Sequence, residues 1–267
     1  MKRCWLTLGR KDHISELDAS ATPGWRGGAA RARKQTDGLR DQLLGLQERL
    51  FAESRQKLLV VLQAMDTGGK DGTIRRVFSG VNPNGIRVVR FGRPSELELA
   101  HDYLWRAHAR VPERGQIVIF NRSHYEDVLV VRVNSLVPEQ TWRRRYAHIR
   151  DFERMLVDEG TTILKFYLHI DRDEQRERLQ ARLDEPSKNW KFDEHDLVQR
   201  RKWDDYMLAF EDAIRETHTD EAPWYIIPAN RKWFRDWAVM SILVDALGRM
   251  DPQYPKPDFD PGSIRVE

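Results

Sequence analysis

Cysteine is nearly absent from this chain: Cys4, the one example among 267 residues, rules out a framework of internal disulfides. Long apolar runs are missing too, since no stretch approaches the ~18 consecutive apolar residues of a membrane span. The basic start MKRCWLTLGRKDH lacks the apolar segment of a signal peptide, so a cytoplasmic location is expected. Nor does one charge dominate: 45 basic residues stand against 42 acidic ones, a formal net charge of +3. Internal repeats and long low-complexity tracts are also lacking. What is present is 40% hydrophobic residues and nine Trp, ample material for one large or two small cores, which excludes disorder as the default state.

Locally the charge balance breaks. From Lys70 to Arg93 six basic residues (Lys70, Arg75, Arg76, Arg87, Arg90, Arg93) face one acid, Asp71. Such a concentration suits nucleic acid, a nucleotide or polymeric phosphate, or else a solvated basic face. Residues 1–36 show no sustained period and read as an extended N-terminal arm; the Pro-rich residues 251–267 read as an extended or mobile tail. Between them lies the main domain, 37–250. It opens on Leu39, Leu43, Leu46, Leu50 and Phe51, which recur at helical spacing. Apolar runs at 57–63, 86–91, 116–120, 161–170 and 224–227 then alternate with helix-period segments at 96–109, 138–158, 174–183, 193–217 and 232–249. Strands of continuous apolar character between helices predict an α/β fold, a parallel sheet flanked by helices on both faces.

The strongest local signal follows the first run, where LLVVLQ leads into Ala64-Met65-Asp66-Thr67-Gly68-Gly69-Lys70-Asp71-Gly72-Thr73. A buried strand, a glycine turn and a helix are what a phosphate loop requires. Glycines let N–H groups converge on phosphate oxygens, the helix N-terminus adds its positive end, and a lysine reaches the outer phosphates. Gly68, Gly69, Lys70, Asp71, Gly72 and Thr73 are therefore phosphate-binding candidates, with Arg75 and Arg76 on the helix behind them. Two departures from the Walker pattern are visible: Ala64 replaces the first glycine, and Asp71 stands where Ser or Thr ordinarily meets magnesium. Asp66-Thr67-Gly68 alone resembles half of an aspartic-protease site, but that chemistry needs two carboxylates sharing a proton and no second such triplet exists.

A second cluster, Asn121-Arg122-Ser123-His124-Tyr125-Glu126-Asp127, follows the third run. Ser123 and Glu126 have capping-box spacing, which predicts a turn into a helix with Asp127 in its first turn. Carboxyl ends of strands in open α/β sheets are where ligands bind. A Walker B strand would end in an acid at 121; the asparagine there displaces the metal role onto Glu126 and Asp127. Asp66 and Asp127 can face a shared Mg²⁺ while Arg122 and Arg132 neutralise phosphate oxygens. The plainer alternative is helix capping by the acids and surface charge for the arginines.

Residues 172–206 place Arg178 and Arg182 four apart on one helical face, then Lys188, Trp190 and Lys191 after a Pro-broken turn, then Arg200, Arg201 and Lys202. A basic helical hairpin at about 184–206 reads as a lid that closes over phosphates and excludes water, or as a salt-bridged exposed helix pair. Trp190 stands between two lysines, where it either stacks on a base or packs in the hinge.

The strings AMDTGGKDGTIRRVFSGVNPNG, IFNRSHYEDVLVVRV and DEPSKNWKF, in this order and spacing, closely resemble the polyphosphate kinase 2 family. The resemblance runs from about Glu53 to Met250 and extends to the subgroup, often called class III, that phosphorylates nucleoside mono- and diphosphates. It implies a P-loop kinase fold similar to thymidylate kinase with a helical lid, inorganic polyphosphate as phosphoryl donor, Mg²⁺ or Mn²⁺, and a homo-oligomer, dimer or tetramer; the lack of helix-turn-helix, zinc-finger or RRM signatures and of membrane-length apolar runs leaves no nucleic-acid or membrane partner expected. By matching motif positions, Asp66 and Lys70 belong to the Walker A element and Asp127 is the Walker B acid, with Asp66 and Asp127 on the metal. Arg122 and Arg132 flank that acid, and Lys191 sits in the lid. Asp66, Lys70, Arg122, Asp127 and Arg132 form the expected catalytic set; Arg75, Arg76, Arg178, Arg182 and Lys191 line a polyphosphate groove; Asn121, Glu126 and Trp190 contact the nucleotide. Two other readings stand beside this one: an ATP-dependent nucleotide or small-molecule kinase on the same fold, and a non-catalytic polyanion binder. Donor choice separates the first, and binding without turnover the second.

Overall fold

All five apolar runs are strands. The computed structural model, which describes residues 3–266, runs in chain order through α1 (Ala29–Glu53), β1 (Lys57–Gln63), α2 (Lys70–Val77), β2 (Ile86–Arg90), α3 (Glu96–Leu99), α4 (Trp105–His108), β3 (Ile117–Asn121), α5 (Val130–Val133), α6 (Glu139–Asp158), β4 (Thr161–His169), α7 (Arg172–Asp184), α8 (Glu194–Arg201), α9 (Trp203–Thr217), β5 (Trp224–Pro228) and α10 (Lys232–Met250). The sheet is wholly parallel in the order β2-β3-β1-β4-β5. Leu58 to Leu62 on central β1 are fully buried, and each such side chain contributes about 1.5–3 kcal/mol of apolar transfer. Lys165 and Tyr167 of β4 turn toward α6 and α9, whereas α1, α2 and α10 pack together. No helix among the described residues is long and apolar enough to cross a membrane.

The chain runs from β1 to β2 at one edge and returns beside β1 as β3, while β4 takes β1's other side. The order reverses at β1, so the crevice beyond its carboxyl end is the ligand position of such sheets. Leu62 pairs in register with Asn121 and with Phe166. That register brings the glycine loop after β1 and the acidic turn after β3 to the same edge.

Four local expectations differ from the structure. The first helix begins at Ala29, within the segment read as an extended arm, because AARARK has high intrinsic helix propensity without apolar period; Ala32 and Thr36 are buried on it. Residues before it lie against the domain: Leu6 bridges Ile226, Ile14 donates its N–H to Glu211, and Cys4 and Ile14 are fully buried. The segment at 96–109 is two short helices, because the Asp102 carboxylate accepts from the N–H groups of Leu104 (2.9 Å) and Trp105 (3.1 Å) and restarts the helix there. The segment at 193–217 breaks at Lys202 into α8 and α9. Finally, no capping box forms at Ser123. Its hydroxyl accepts from Tyr125 N–H (3.1 Å) and Gln63 Nε2 (3.0 Å), and the turn it opens is a 3₁₀ helix, His124–Asp127.

Candidate active site

The loop after β1 is built by backbone geometry. Thr67 (φ 63°) and Gly69 (φ 103°) both take positive φ, and Gly68 N–H donates to Met65 C=O at 2.9 Å. At Gly68 a side chain would sit 2.5 Å from Ala64 Cβ and 2.8 Å from Met65 O, so glycine there is steric necessity. Lys70 opens α2 and folds back, its Nζ donating to Ala64 C=O (2.8 Å) and Met65 C=O (3.3 Å). Burial, reinforced by the Arg122 guanidinium, pushes this ammonium down to about 8. Thr73 is buried, and its hydroxyl donates to Gly69 C=O.

Asp71 and Asn121, the two departures from an ordinary Walker site, meet each other: Asn121 Nδ2 donates to Asp71 Oδ1 at 2.6 Å and clips β3 to α2. Arg122, in the left-handed region at φ 60°, reaches Asp66 (2.5 Å) and Glu126 (3.7 Å). Glu126 foremost among its neighbours holds Arg122 above the usual arginine range. Burial raises the Glu126 carboxyl, against the pull of Arg122 and Lys70. Lys70, Asp66, Arg122 and Glu126 thus form one compact set of alternating charge around the loop.

Asp127 faces elsewhere. Its carboxylate lies 3.5 Å from Arg106 and 3.3 Å from Arg145, and Arg145 also donates to its backbone carbonyl at 2.9 Å. Burial raises its pKa although both arginines oppose the shift. The expected pairing of Asp66 with Asp127 is therefore divided between different arginines. Arg132, expected beside Asp127, instead bonds Asp212 (2.6 Å) and covers the Trp142 ring. Its position two turns beyond the strand carries it toward α9.

The basic residues expected along a polyphosphate groove separate. Arg178 reaches the loop and donates to Thr67 C=O at 3.0 Å, while Gln175 of the same helix donates to Asp66 C=O at 3.1 Å. Arg182 is tied to Asp196 (2.8 Å) and to the Lys191 carbonyl. Arg75, Arg76, Lys191 and Trp190 are exposed, Trp190 at 79%, with Lys191 Nζ 5.0 Å from the Trp190 ring centre and Arg76 3.5 Å from Asp236. Three residues at this edge have no signal in the motifs. Arg235, buried and paired with Asp236, sits against Gly69, where any Cβ would collide with its guanidinium. Arg106 and Arg145 bracket Asp127 from α4 and α6. Their sequence spacing from it, 21 and 18 residues, follows no motif and becomes meaningful only once the helices pack.

A buried parallel strand, a left-handed glycine loop closed by a lysine, and carboxylates with guanidiniums at one sheet edge define a P-loop kinase, an enzyme of phosphoryl transfer. A family model described as Polyphosphate kinase 2 (PPK2) matches residues 28–255. The chain belongs to the polyphosphate kinase 2 family. It is 59% identical over 267 residues, all of both chains, to an AMP/ADP-polyphosphate phosphotransferase of Meiothermus ruber. It is 45% identical over 228 residues, covering 81% of this chain and 79% of the other, to an ADP-polyphosphate phosphotransferase of Rhodopseudomonas palustris. The crystal structure of Polyphosphate Kinase 2 from Arthrobacter aurescens TC1 superposes with a TM-score of 0.93 at 43% identity, covering 96% of this chain and 92% of that one.

Proposed function

We propose that the protein transfers a phosphoryl group reversibly from inorganic polyphosphate to AMP and ADP, and to other nucleoside mono- and diphosphates, giving ADP and ATP. The observation that carries this reading is the 59% identity across the whole of both chains to an AMP/ADP-polyphosphate phosphotransferase. The geometry supplies a matching mechanism. The acceptor oxygen is already anionic, so the task is to bring polyanions together rather than to remove a proton. Lys70, now bonded to loop carbonyls, and Arg122, now bonded to carboxylates, exchange these partners for phosphate oxygens and stabilise charge in a loose in-line transfer. Arg178 and Arg235 add positive potential behind the loop, and Arg75, Arg76, Arg182 and Lys191 extend it along the chain.

No cluster of three or more metal-binding side chains occurs among the described residues. A hard cation in phosphoryl transfer needs only one or two carboxylates, with substrate phosphates and water completing its shell; Asp66 beside the loop fits that requirement, and Asp127 would join it on releasing Arg106 and Arg145. Bound there, Mg²⁺ or Mn²⁺ would neutralise phosphate oxygens. Asn121 positions Asp71, Glu126 orients Arg122, and Trp190, packed into no hinge, is free to meet the base. A homo-oligomer belongs to the same reading, supported by exposed Val88 on edge strand β2 and exposed Leu97 and Leu99 on α3.

The test is incubation with AMP, Mg²⁺ and long-chain polyphosphate without ATP, followed by chromatography of the nucleotides. ADP and then ATP are expected. ADP alone would restrict the acceptor to monophosphates, and product only on adding ATP with another acceptor would replace polyphosphate as donor.

Lys70 also sets a pH dependence. With its pKa pushed down to about 8, the ammonium is charged below that pH and loses its charge above it. Because bound phosphate favours the charged form, kcat/KM for polyphosphate is expected to be level near neutrality and to fall by about tenfold per unit well above pH 8, with kcat flat to higher pH. A profile of kcat/KM that stays level across pH 7 to about 9.5 would remove Lys70 from phosphate binding.

A further inference from the structure

Beneath the turn that carries Glu126 and Asp127 lies a buried polar network that the mechanism above does not use. The Tyr125 hydroxyl donates to Glu153 Oε1 (2.8 Å), accepts from Lys165 Nζ (3.1 Å) and lies 2.9 Å from Thr217 Oγ1. Lys165 Nζ also donates to Glu153 Oε2 (2.5 Å) and to the Thr217 carbonyl at the end of α9 (2.7 Å). Tyr125, Lys165, Thr217 and His124 are fully buried and Glu153 is 2% exposed, while the Trp224 indole donates to Thr217 Oγ1. The network joins α6, β4, α9 and β5 to two residues of a four-residue 3₁₀ turn, Tyr125 and, more loosely, His124, whose Nε2 lies 3.4 Å from Glu153 Oε1.

An ion pair is a poor device for holding a core together. Each buried charge loses its hydration, and apolar residues of similar volume often stabilise as well or better. What a fully satisfied network supplies is orientation. In a 3₁₀ helix successive side chains point about 120° apart. With Tyr125 locked inward, Glu126 is directed to Arg122 and Asp127 to Arg106 and Arg145. The other anchor of the turn is Ser123, bonded to Gln63 at the end of β1, so the acidic turn is referenced to the glycine loop and to the helical layer at once.

We infer that Tyr125, held by Glu153 and Lys165, is a positioning residue that fixes the directions of the Glu126 and Asp127 carboxylates for phosphoryl transfer. This rests on the proposed function of the same site. Tyr125→Phe keeps the ring and removes the hydroxyl. It is expected to lower kcat by about tenfold, the orientation lost with the hydroxyl's buried hydrogen bonds, while the KM for polyphosphate stays within about twofold. In an Asp127→Asn background the same change is expected to lower kcat by less than about twofold, because the residue it positions is already disabled. Mn²⁺ binding followed by electron paramagnetic resonance needs no turnover. Tyr125→Phe is expected to weaken it by about threefold in the otherwise unmodified protein and leave it unchanged beside Asp127→Asn. If Tyr125→Phe proves too unstable to purify, Glu153→Leu combined with Lys165→Met removes the ion pair at similar volume and is expected to show the same kcat loss in preparations whose circular dichroism matches that of the unmodified protein. A full tenfold loss persisting in the Asp127→Asn background, or Mn²⁺ affinity unaltered by Tyr125→Phe, would overturn the inference. Absence of polyphosphate-dependent turnover in the unmodified protein would instead strike the proposed function, with the Mn²⁺ comparison still deciding the role of Tyr125.

Discussion

Asp127→Asn is expected to keep the fold and to lower kcat by roughly 10²- to 10⁴-fold, the several kcal/mol that charge stabilisation at a metal-assisted phosphoryl transfer supplies. The substitution is nearly isosteric. One amide oxygen remains to accept from Arg145, but the negative charge that the proposed cation site requires is gone. The stability effect has its own source: Arg106 is 6% exposed, and losing its carboxylate leaves the guanidinium with Gly92 C=O at 3.0 Å and the more distant Glu98. A destabilisation of about 1–3 kcal/mol is expected, as for a buried group deprived of a partner. Circular dichroism melts and steady-state kinetics on the same preparation separate the two effects. Turnover near that of the unmodified enzyme would discard Asp127 as the metal-side acid.

Lys70→Ala is expected to lower the rate by about 30- to 1000-fold, or 2–4 kcal/mol of transition-state stabilisation, the size of one lost charged contact. Here stability is expected to change little. Removing a desolvated ammonium relieves its burial, and the two loop carbonyls it meets become available to water. Lys70→Arg is not expected to rescue activity, because Lys70 is 9% exposed with its Nζ seated on the Ala64 and Met65 carbonyls, and a broader planar guanidinium does not reproduce that compact point charge. A change confined to KM would make Lys70 a ground-state binding residue only.

Both expectations concern residues visible in the motifs, yet what surrounds them was not. Lys70 is legible because a glycine loop after a buried strand constrains local geometry, and local geometry is written in neighbouring residues. Asp127 is legible as an acid near a strand end, but its partners Arg106 and Arg145 come from two other helices. Arg132 shows the converse. Its proximity to Asp127 in the chain invited a shared role, and a short helix turned it toward Asp212 instead. Ser123 and Glu126 have the spacing of a capping box; the preference of Glu126 for the Arg122 charge, and of Ser123 for Gln63 on the adjacent strand, outweighed that local option.

By itself the sequence determined the five strands and their sheet: five continuous apolar runs between helical periods admit few arrangements other than a parallel α/β layer, and the glycine loop can function only at its carboxyl edge. These features depend on interactions among residues close in the chain and on a hydrophobic pattern that any single strand carries. The tertiary structure alone decided which charges meet. Asp66 with Arg122, Asp127 with Arg106 and Arg145, Arg235 against Gly69, and Lys165 with Glu153 and Tyr125 all join residues from different elements. Electrostatic pairing depends on distance and burial in space, and neither has a period along the chain.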